Sequence, residues 1–270
     1  MALVLVVVLG FVLFGGGSPG SPSDASSVAG EAATGEAAAG GGAAEANAAA
    51  IDPSALQLSS TYTTIDAAPA DPDPSGTTEG IVVHPIRSTP VHDGPDGTPI
   101  ARMATEQFGD TWLPLIGEQD GWVQVLLPSK PAGSTGWIRA ADVERAVTPY
   151  VVEVHLGSRT LELVRDGETV GEWTVGIGGP ETPTPTGRTF LLGAFSDANQ
   201  DYSPVFLPLG THSPTLDTFG GGPGTVAIHG WPTDDVFGEA TSNGCIRVPQ
   251  AALDELTEVP LGTLVLVDEA

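Results

Sequence analysis

Residues 225–248 read TVAIHGWPTDDVFGEATSNGCIRV, and this stretch contains the only cysteine of the 270-residue chain. Residues 225–228 predict a buried strand that ends at His229, where an imidazole could face a cleft. Small, turn-forming residues precede Cys245, and residues 246–248 predict a second short strand directly after it. The stretch therefore predicts an imidazole at the end of one strand and a thiol just before another.

Cys245 is the centre of the chemistry that this stretch suggests. In a secreted protein, an odd cysteine can pair with another molecule, stay inert in the core, or act as a nucleophile. A thiol with an ordinary pKa of about 8.5 is a few per cent thiolate at neutral pH, so a nucleophile needs a base. His229 is the candidate base, and a hydrogen-bonded structural histidine is the alternative. The amides of Gly244 and Cys245 could donate to an oxyanion, and the Gly230 carbonyl could accept from the second imidazole nitrogen.

The surrounding sequence predicts a β-dominated domain over residues 148–270. Asp166-Gly167 supplies a hairpin turn between two strand-like runs, and residues 249–256 predict a helix that a proline opens. Few helices and many short strands separated by Gly and Pro favour an all-β fold. The other predicted strands cover residues 150–156, 160–164, 170–177 and 263–267.

Residues 80–147 predict a second, smaller all-β module. Short apolar runs alternate with turn signals, and Asp120-Gly121 supplies the positive-φ position of a hairpin. The sequence GDTWLPLIGEQDGWVQVLL, followed by GWI at 136–138, resembles the bacterial SH3-like domain. That resemblance implies a small barrel of a kind that often holds cell-wall material. The tryptophans of the module form either the barrel core or a ligand groove, and they are Trp112, Trp122 and Trp137.

The N-terminal 79 residues carry no positive charge, because the first basic residue is Arg87. Residues 2–14 are apolar or small, too few for the roughly 20 residues that span a bilayer but enough for a signal-peptide core. We therefore expect residues 1–17 to be a signal peptide or membrane anchor, and the protein to be exported to the cell envelope. A buried segment is the alternative, since the basic flank of a signal peptide is missing. Residues 18–79 are rich in Ala, Gly, Pro and Ser, which predicts a disordered linker.

The composition excludes several classes of protein. Nine Lys plus Arg against 34 Asp plus Glu give a formal net charge of -25. Phosphate contacts need clustered basic side chains, so a duplex nucleic-acid partner is excluded. A single cysteine excludes a disulfide scaffold and a Cys-rich zinc module, and the histidines show no metal-ligand spacing, so no metal is expected.

Three segments of the sequence resemble one enzyme family. His229-Gly230, followed after a loop by SNGCIR at 242–247, resembles the signature of the L,D-transpeptidase catalytic domain, the YkuD family. TPTG at 184–187 with Phe190 and the hairpin over 151–164 resemble further segments of that family. The resemblance covers residues 149–268 and implies a YkuD-type β-sandwich. The pairing of His-Gly with Ser-x-Gly-Cys-x-Arg is highly specific.

The resemblance implies an enzyme that cross-links peptidoglycan. Cys245 would be the nucleophile and His229 its base and later its acid, with the Gly230 carbonyl orienting the imidazole. Arg247 would hold a substrate carboxylate. In the family, the thiolate attacks the third residue of a tetrapeptide stem, expels the terminal D-Ala and forms a thioester, which a neighbouring stem amine resolves into a 3-to-3 cross-link. Water in place of the amine gives a carboxypeptidase outcome. The implied partners are stem peptides and, as covalent inhibitors, carbapenems; no cofactor enters.

Several further residues are expected to contact the substrate. Asn243 stands where many family members have a histidine that supports the site, although an amide can still donate and accept hydrogen bonds. Trp231 replaces the small polar residue common after His-Gly, and lines or narrows the cleft. His212 lies in a loop that borders the cleft in the family, and the Gly-rich residues 218–224 predict a flexible flank. The remaining predicted substrate-binding residues are Ser242 and Gly244.

An alternative function is a catalytically weak wall protein that binds peptidoglycan through both β modules. The departure at Asn243 is its best support, because the lost histidine would weaken activation of the thiol. A papain-like peptidase fits poorly, since that class usually places its cysteine before its histidine in the sequence.

Overall fold

Strands make up most of the regular structure in the computed structural model, which describes residues 52–270. The predicted all-β, β-dominated fold class is therefore confirmed. The predicted signal peptide or anchor at 1–17, and the part of the predicted linker that covers 18–51, lie outside the described residues. None of the helices within 52–270 is long and apolar enough to cross a membrane.

The N-terminal module, residues 80–147, is a seven-stranded antiparallel sheet in the order β3-β2-β6-β5-β4-β1-β7. The predicted hairpin is β4–β5, and its turn places Asp120 at φ 47° and Gly121 at φ 82°. Such φ values favour Asp-Gly, which is why the pair predicted the turn. The SH3-like barrel stays a prediction. The strands are β1 (Ile81–Pro85), β2 (Thr89–His92), β3 (Pro99–Met103), β4 (Leu113–Gln119), β5 (Trp122–Leu126), β6 (Thr135–Arg139) and β7 (Val143–Val147).

Of the three tryptophans in this module, Trp122 belongs to the buried interior. Its ring contacts His92 edge-on at 4.8 Å and lies under the Arg139 guanidinium at 4.3 Å. Trp112 and Trp137 are half-buried. Side chains alternate along a strand, so Trp137 points away from the core that Ile138 enters. The core interpretation therefore holds for Trp122 alone.

Residues 52–79 are folded, which corrects the prediction that the linker extends to residue 79. Ile65 is buried in the core of the N-terminal module, and its N–H donates to the Lys130 carbonyl at 2.9 Å. The Asp71 carboxylate forms a buried, bidentate ion pair with Arg188, with N–O distances of 2.7 and 2.6 Å. The composition, rich in small and polar residues, did not predict these few anchoring contacts, because their partners lie far away in the sequence.

The C-terminal domain, residues 148–270, is a sandwich built around one hydrophobic core. A five-stranded sheet, order β10-β9-β8-β19-β12, lies on one side, and a three-stranded sheet, order β13-β16-β18, contributes the other. Its elements are β8 (Tyr150–His155), β9 (Thr160–Arg165), β10 (Glu168–Thr174), β11 (Ile177–Gly178), β12 (Gly187–Phe190), β13 (Phe206–His212), β14 (Thr218–Phe219), β15 (Gly222–Pro223), β16 (Thr225–Gly230), β17 (Ala240–Ser242), β18 (Ile246–Val248), α1 (Gln250–Leu256) and β19 (Leu264–Asp268).

Local sequence signals predicted most elements of this domain. The Asp166-Gly167 turn joins β9 to β10 with φ values of 51° and 80°. Helix α1 begins at Gln250, with Pro249 as its N-cap, and buries Leu253 and Leu256 against the sandwich core. Short 3-10 helices occur at Pro53–Ala55, Ala140–Asp142 and Asp234–Val236.

The Gly-rich residues 218–224 form a small hairpin, β14–β15, and their flexibility stays a prediction. Gly220 and Gly221 occupy its two-residue turn at φ 58° and 87°. Positive φ at both central residues is the geometry that a tight hairpin requires and glycine tolerates best.

Candidate active site

The predicted base lies on β16, and the predicted nucleophile comes just before the parallel strand β18. Ile228 pairs with Ile246 and His229 with Arg247, and Cys245 directly precedes β18. Side chains alternate between the two faces of a sheet, so the isoleucines enter the core while His229, Arg247 and Cys245 share the opposite face. The sheet register therefore brings His229 together with Cys245 and Arg247, although His229 and Cys245 are sixteen positions apart in the sequence.

His229 is held by its own strand end. The ring is 5% exposed, and its Nδ1 lies 2.8 Å from the Gly230 carbonyl oxygen. Because a carbonyl only accepts, the neutral ring carries its proton on Nδ1, which leaves Nε2 as the acceptor. The Gly230 N–H donates to Ser203 Oγ at 2.8 Å, which fixes this strand end. Burial lowers the pKa of His229, so the imidazole is neutral at pH 7.

The thiol of Cys245 is also in its neutral form at rest. Burial raises its pKa, while a backbone hydrogen bond with Ala227 and the charge of Arg247 act in the opposite direction. Within residues 52–270, no hydrogen bond joins the thiol to the His229 ring. The site therefore consists of a neutral thiol beside a neutral imidazole, and catalytic hydrogen bonds often tighten only when substrate binds.

A tight turn places Cys245, and Ser242 holds that turn. Ser242 Oγ accepts the Gly244 N–H at 3.1 Å and donates to the Cys245 carbonyl. Gly244 lies at φ +108°, which other residues rarely adopt. The Gly244 amide is thus engaged and does not serve as the predicted oxyanion donor. The Cys245 N–H makes no turn or loop hydrogen bond among the described residues, so it remains the candidate donor.

Thr184 supports the same turn from the TPTG segment. Its hydroxyl donates to the Gly244 carbonyl at 2.9 Å and accepts the Gly178 N–H at 2.9 Å. This segment contributed to the resemblance to the L,D-transpeptidase family, but its sequence predicted no role for Thr184. A threonine whose contact lies 60 positions away gives no local signal of such a role.

Arg247 presents a guanidinium that carries no ion pair within the described part of the chain. Its Cζ lies 3.8 Å from the centroid of the Trp231 ring, and Nη1 donates to Thr241 Oγ1 at 3.4 Å. A guanidinium stacked on an aromatic face stays available to a carboxylate through its edge. In a chain of net charge -25, such an unpaired cation is well suited to an anionic group of a ligand.

Tyr202 is a site residue that the sequence did not reveal. Its ring lies 5.4 Å from the His229 ring, 5.2 Å from Trp231 and 5.3 Å from Phe206. Burial, with a smaller effect of Cys245, raises the pKa of the Tyr202 hydroxyl, which therefore stays protonated. Tyr202 and the predicted Trp231 form an aromatic wall beside the imidazole. Tyr202 lies in a loop without a recognisable motif, so only the fold places it here.

This geometry agrees with a comparison against protein-family models. Residues 149–267 match the YkuD family, the L,D-transpeptidase catalytic domain. The match covers the C-terminal domain and nearly the whole region of the resemblance noted in the sequence. The C-terminal domain is therefore similar to that family over these residues.

Curated proteins and solved structures give the same kind of match. The YkuD protein of Bacillus subtilis (strain 168), an L,D-transpeptidase by name, is 26% identical over 121 residues, which cover 44% of this chain and 66% of that relative. L,D-transpeptidase 3 from Mycobacterium tuberculosis, in complex with a faropenem-derived adduct, is 15% identical over 55% of this chain and 91% of that chain, with a TM-score of 0.39. The L,D-transpeptidase from Xylanimonas cellulosilytica is 24% identical over 46% of this chain and 62% of its own, with a TM-score of 0.34.

Two predicted substrate-binding residues of the C-terminal domain make no hydrogen bond with the Cys245 thiol or the His229 ring. The Asn243 side chain is exposed and makes no hydrogen bond to any residue within 52–270. His212 is buried, and its Nε2 donates to the Thr61 carbonyl at 2.8 Å, so it packs against the N-terminal segment instead of bordering an open cleft. Burial lowers the pKa of His212. The prediction that His212 borders the cleft was wrong, because residues 52–79 cover this histidine.

The described part of the C-terminal domain offers a thiol, an imidazole and a guanidinium, but no cluster of metal ligands. Among residues 52–270, no group of three or more His, Cys, Asp or Glu side chains has a geometry that could hold a metal ion. The arrangement is suited to acyl transfer through a thiol.

Proposed function

We propose that this protein is an exported peptidoglycan L,D-transpeptidase that forms 3-to-3 cross-links through a thioester on Cys245. The observation that carries the proposal is the shared face of β16 and β18, where His229, Cys245 and an Arg247 without an ion pair lie together. The family match over residues 149–267 supports it. Export through the segment at 1–17 and a place in the cell envelope belong to the same proposal.

The first half-reaction transfers the donor stem to the enzyme. Nε2 of His229 takes the thiol proton while Sγ of Cys245 bonds to the carbonyl carbon of the third stem residue. The Cys245 N–H donates a hydrogen bond to the developing oxyanion. The amide C–N bond then breaks, and the imidazolium gives its proton to the amine of the departing D-Ala. The product is a thioester between Cys245 and the donor stem.

The second half-reaction releases the donor onto an acceptor. A side-chain amine of a neighbouring stem attacks the thioester carbonyl, and His229 takes the amine proton. The C–S bond breaks, the new amide forms, and the proton returns to the Cys245 thiolate. Water in place of the amine yields the shortened stem, which is the carboxypeptidase outcome. Arg247 binds a substrate carboxylate with its free edge and so orients the stem.

The electrostatics support a base-assisted attack. Both reacting groups are neutral at rest, so proton transfer accompanies bond formation instead of preceding it. The half-buried Tyr202 and Trp231 rings flank the imidazole and limit water on that side. Limited water favours the amine over hydrolysis of the thioester.

The test is the reaction itself. Purified protein is incubated with disaccharide-tetrapeptide fragments of peptidoglycan, and the products are separated and weighed by mass spectrometry. We expect free D-Ala together with a cross-linked dimer one D-Ala lighter than two substrates, and neither with Cys245→Ala. D-Ala without any dimer would assign the carboxypeptidase outcome. An unchanged substrate, with folded and reduced protein, would overturn the proposal.

The second candidate function is a catalytically weak protein that binds peptidoglycan. Two observations favour it: the exposed Asn243 side chain makes no hydrogen bond within residues 52–270, and burial raises the pKa of the thiol. The variant Asn243→His separates the two. If weak activation limits this protein, the variant gains acylation rate over the wild type. If the wild type already acylates rapidly and the variant gains nothing, this second candidate is rejected.

A further inference from the structure

We propose that a stripe of aromatic side chains, running from the catalytic imidazole to the N-terminal module, is a binding subsite for the glycan strand of the substrate. The stripe consists of the rings of Phe108, Phe195, Phe206 and Tyr202. The ligand class is an uncharged, β-1,4-linked amino-sugar chain. This inference rests on the proposed function, because it adds the carbohydrate half of a glycopeptide substrate to a site that acts on the peptide half.

The rings of the stripe are in continuous contact. Phe108 and Phe195 stack with centroids 5.5 Å apart and planes 26° apart, and Phe195 and Phe206 do so at 5.5 Å and 22°. Phe206 contacts Tyr202 edge-on at 5.3 Å and lies 5.5 Å from the His229 ring. The rings are thus in contact from the imidazole to a loop of the neighbouring module. Phe206 in the middle is only 6% exposed, so Phe108 and Phe195 supply the surface that contacts the ligand at the far end.

Two of these rings remain exposed although both belong to tightly fitted loops. Phe108 and Phe195 are each 38% exposed. A Cβ on Gly193 would come within 2.4 Å of the Phe108 Cβ, so only glycine permits this approach. The Ala194 N–H also donates to the Phe108 carbonyl at 3.3 Å. The contact between the loops is therefore close, yet it leaves large aromatic surfaces in water.

The backbone of Phe108 supports a functional role for its exposure. Phe108 adopts φ +56°, a left-handed conformation that is a genuine outlier for a bulky side chain. Such conformations cost on the order of 1–3 kcal/mol and cluster at ligand-binding sites. Burying the ring fully would offset that cost, but the ring is only partly covered. A ligand that packs on the exposed part would offset it.

The polar rim of the stripe identifies the class of ligand. The two loops, residues 104–111 and 193–205, contain no basic residue, so they do not attract polyanions. Their exposed side chains are hydrogen-bond acceptors and amides, which suit hydroxyl and N-acetyl groups. Sugar rings combine an apolar C–H face with such groups, and aromatic rings bind that face. The exposed rim residues are Glu106, Asp110, Asn199, Gln200 and Asp201.

The test measures carbohydrate binding separately from chemistry. The probe is the soluble β-1,4-linked tetramer of N-acetylglucosamine, titrated into full-length protein and followed by amide chemical shifts. We expect shifts confined to residues 104–111 and 193–205. The variants Phe108→Ala and Phe195→Ala should each weaken tetramer binding about tenfold. Phe195→Leu should weaken binding as well, because it removes the aromatic ring while it retains the packing volume. Phe219→Ala, an equally large exposed phenylalanine on the β14–β15 hairpin, should bind as the wild type.

Each contrary result is distinct from a failure of the proposed function. Carbapenem acylation of the wild type reports the proposed function independently of tetramer binding. Acylation without any tetramer binding would overturn the subsite and leave the enzyme intact. The subsite would also be overturned if Phe195→Leu bound the tetramer as tightly as the wild type. Amide chemical-shift changes located elsewhere on the surface would overturn it too. A concentration-dependent dimer that Phe108→Ala abolishes would instead assign the stripe to self-association.

Discussion

Burial decides the protonation state of both reacting residues. The lowered pKa of His229 and the raised pKa of Cys245 have the same first cause, the loss of water around each group. A thiolate-imidazolium pair, as in proteases that are activated before substrate arrives, is therefore not the resting state. In the proposed mechanism, the imidazole therefore acts as a general base during the attack.

The pH dependence of acylation follows from that conclusion. The base works only when neutral, and its pKa is lowered from the ordinary 6.5. Activity should therefore stay level as the pH falls to 6.5 and decline only below it. The measurement is the rate of carbapenem acylation, by stopped-flow fluorescence, across the acid range. A half-maximal rate at or above pH 6.5 would contradict the neutral buried base.

Removal of the base should slow the chemistry without removing the nucleophile. For His229→Ala we expect acylation at least about 100-fold slower than in the wild type, as is typical when general-base assistance is lost. The control is His155→Ala, which removes a histidine of the other sheet and should leave the rate unchanged. Equal rates for His229→Ala and the wild type would exclude His229 from the mechanism.

At the scale of elements, the parallel pair of β8 and β19 carries a pH-sensitive contact. His155 pairs with Asp268 across the strands, with Nδ1 3.0 Å from Oδ1, and Nε2 lies 3.7 Å from Glu162. The hydrogen bond to Asp268 is the main cause that raises the pKa of His155, and burial opposes it. A raised folded pKa means that protonated His155 stabilises the fold.

This contact should stabilise the fold at low pH, and its contribution should disappear as the pH rises. The contribution is complete below the unfolded pKa of 6.5 and disappears as the pH passes the raised folded value. Because the pair is partly exposed, we expect about 1 kcal/mol or less. Urea unfolding of the wild type and His155→Gln should differ at pH 5.5 and converge in alkaline solution. A gap that is constant with pH would contradict the assignment.

At the scale of the whole molecule, residues 52–79 and the C-terminal domain are joined by a buried ion pair. Asp71 and Arg188 have side chains 3% and 4% exposed. Asp71→Asn would leave a buried guanidinium without its carboxylate, which costs about 3–5 kcal/mol. Chemical unfolding measures the loss, with Asp96→Asn, which breaks an exposed pair with Arg139, as the control. A loss below about 1 kcal/mol, no larger than the control, would contradict a structural role for this pair.

Local signals in the sequence predicted more of this protein than long-range contacts did. Asp-Gly pairs predicted two hairpin turns, and the signals around His229 and Cys245 predicted strands β16 and β18, because each signal lies within a few residues of its effect. Residues 52–79 were misjudged, since Ile65 and Asp71 act through partners that the sequence does not bring near. Tyr202 and Thr184 escaped notice for the same reason: only the folded sheets bring them to the thiol and its turn.

The central claim is that Cys245 is a reactive nucleophile. The measurement that tests it most directly is intact mass of the purified, reduced protein before and after incubation with a carbapenem, with Cys245→Ala alongside. The account predicts a gain of one carbapenem mass in the wild type and no gain in the variant. An unmodified wild type that is folded, or an equal gain in both proteins, would contradict it.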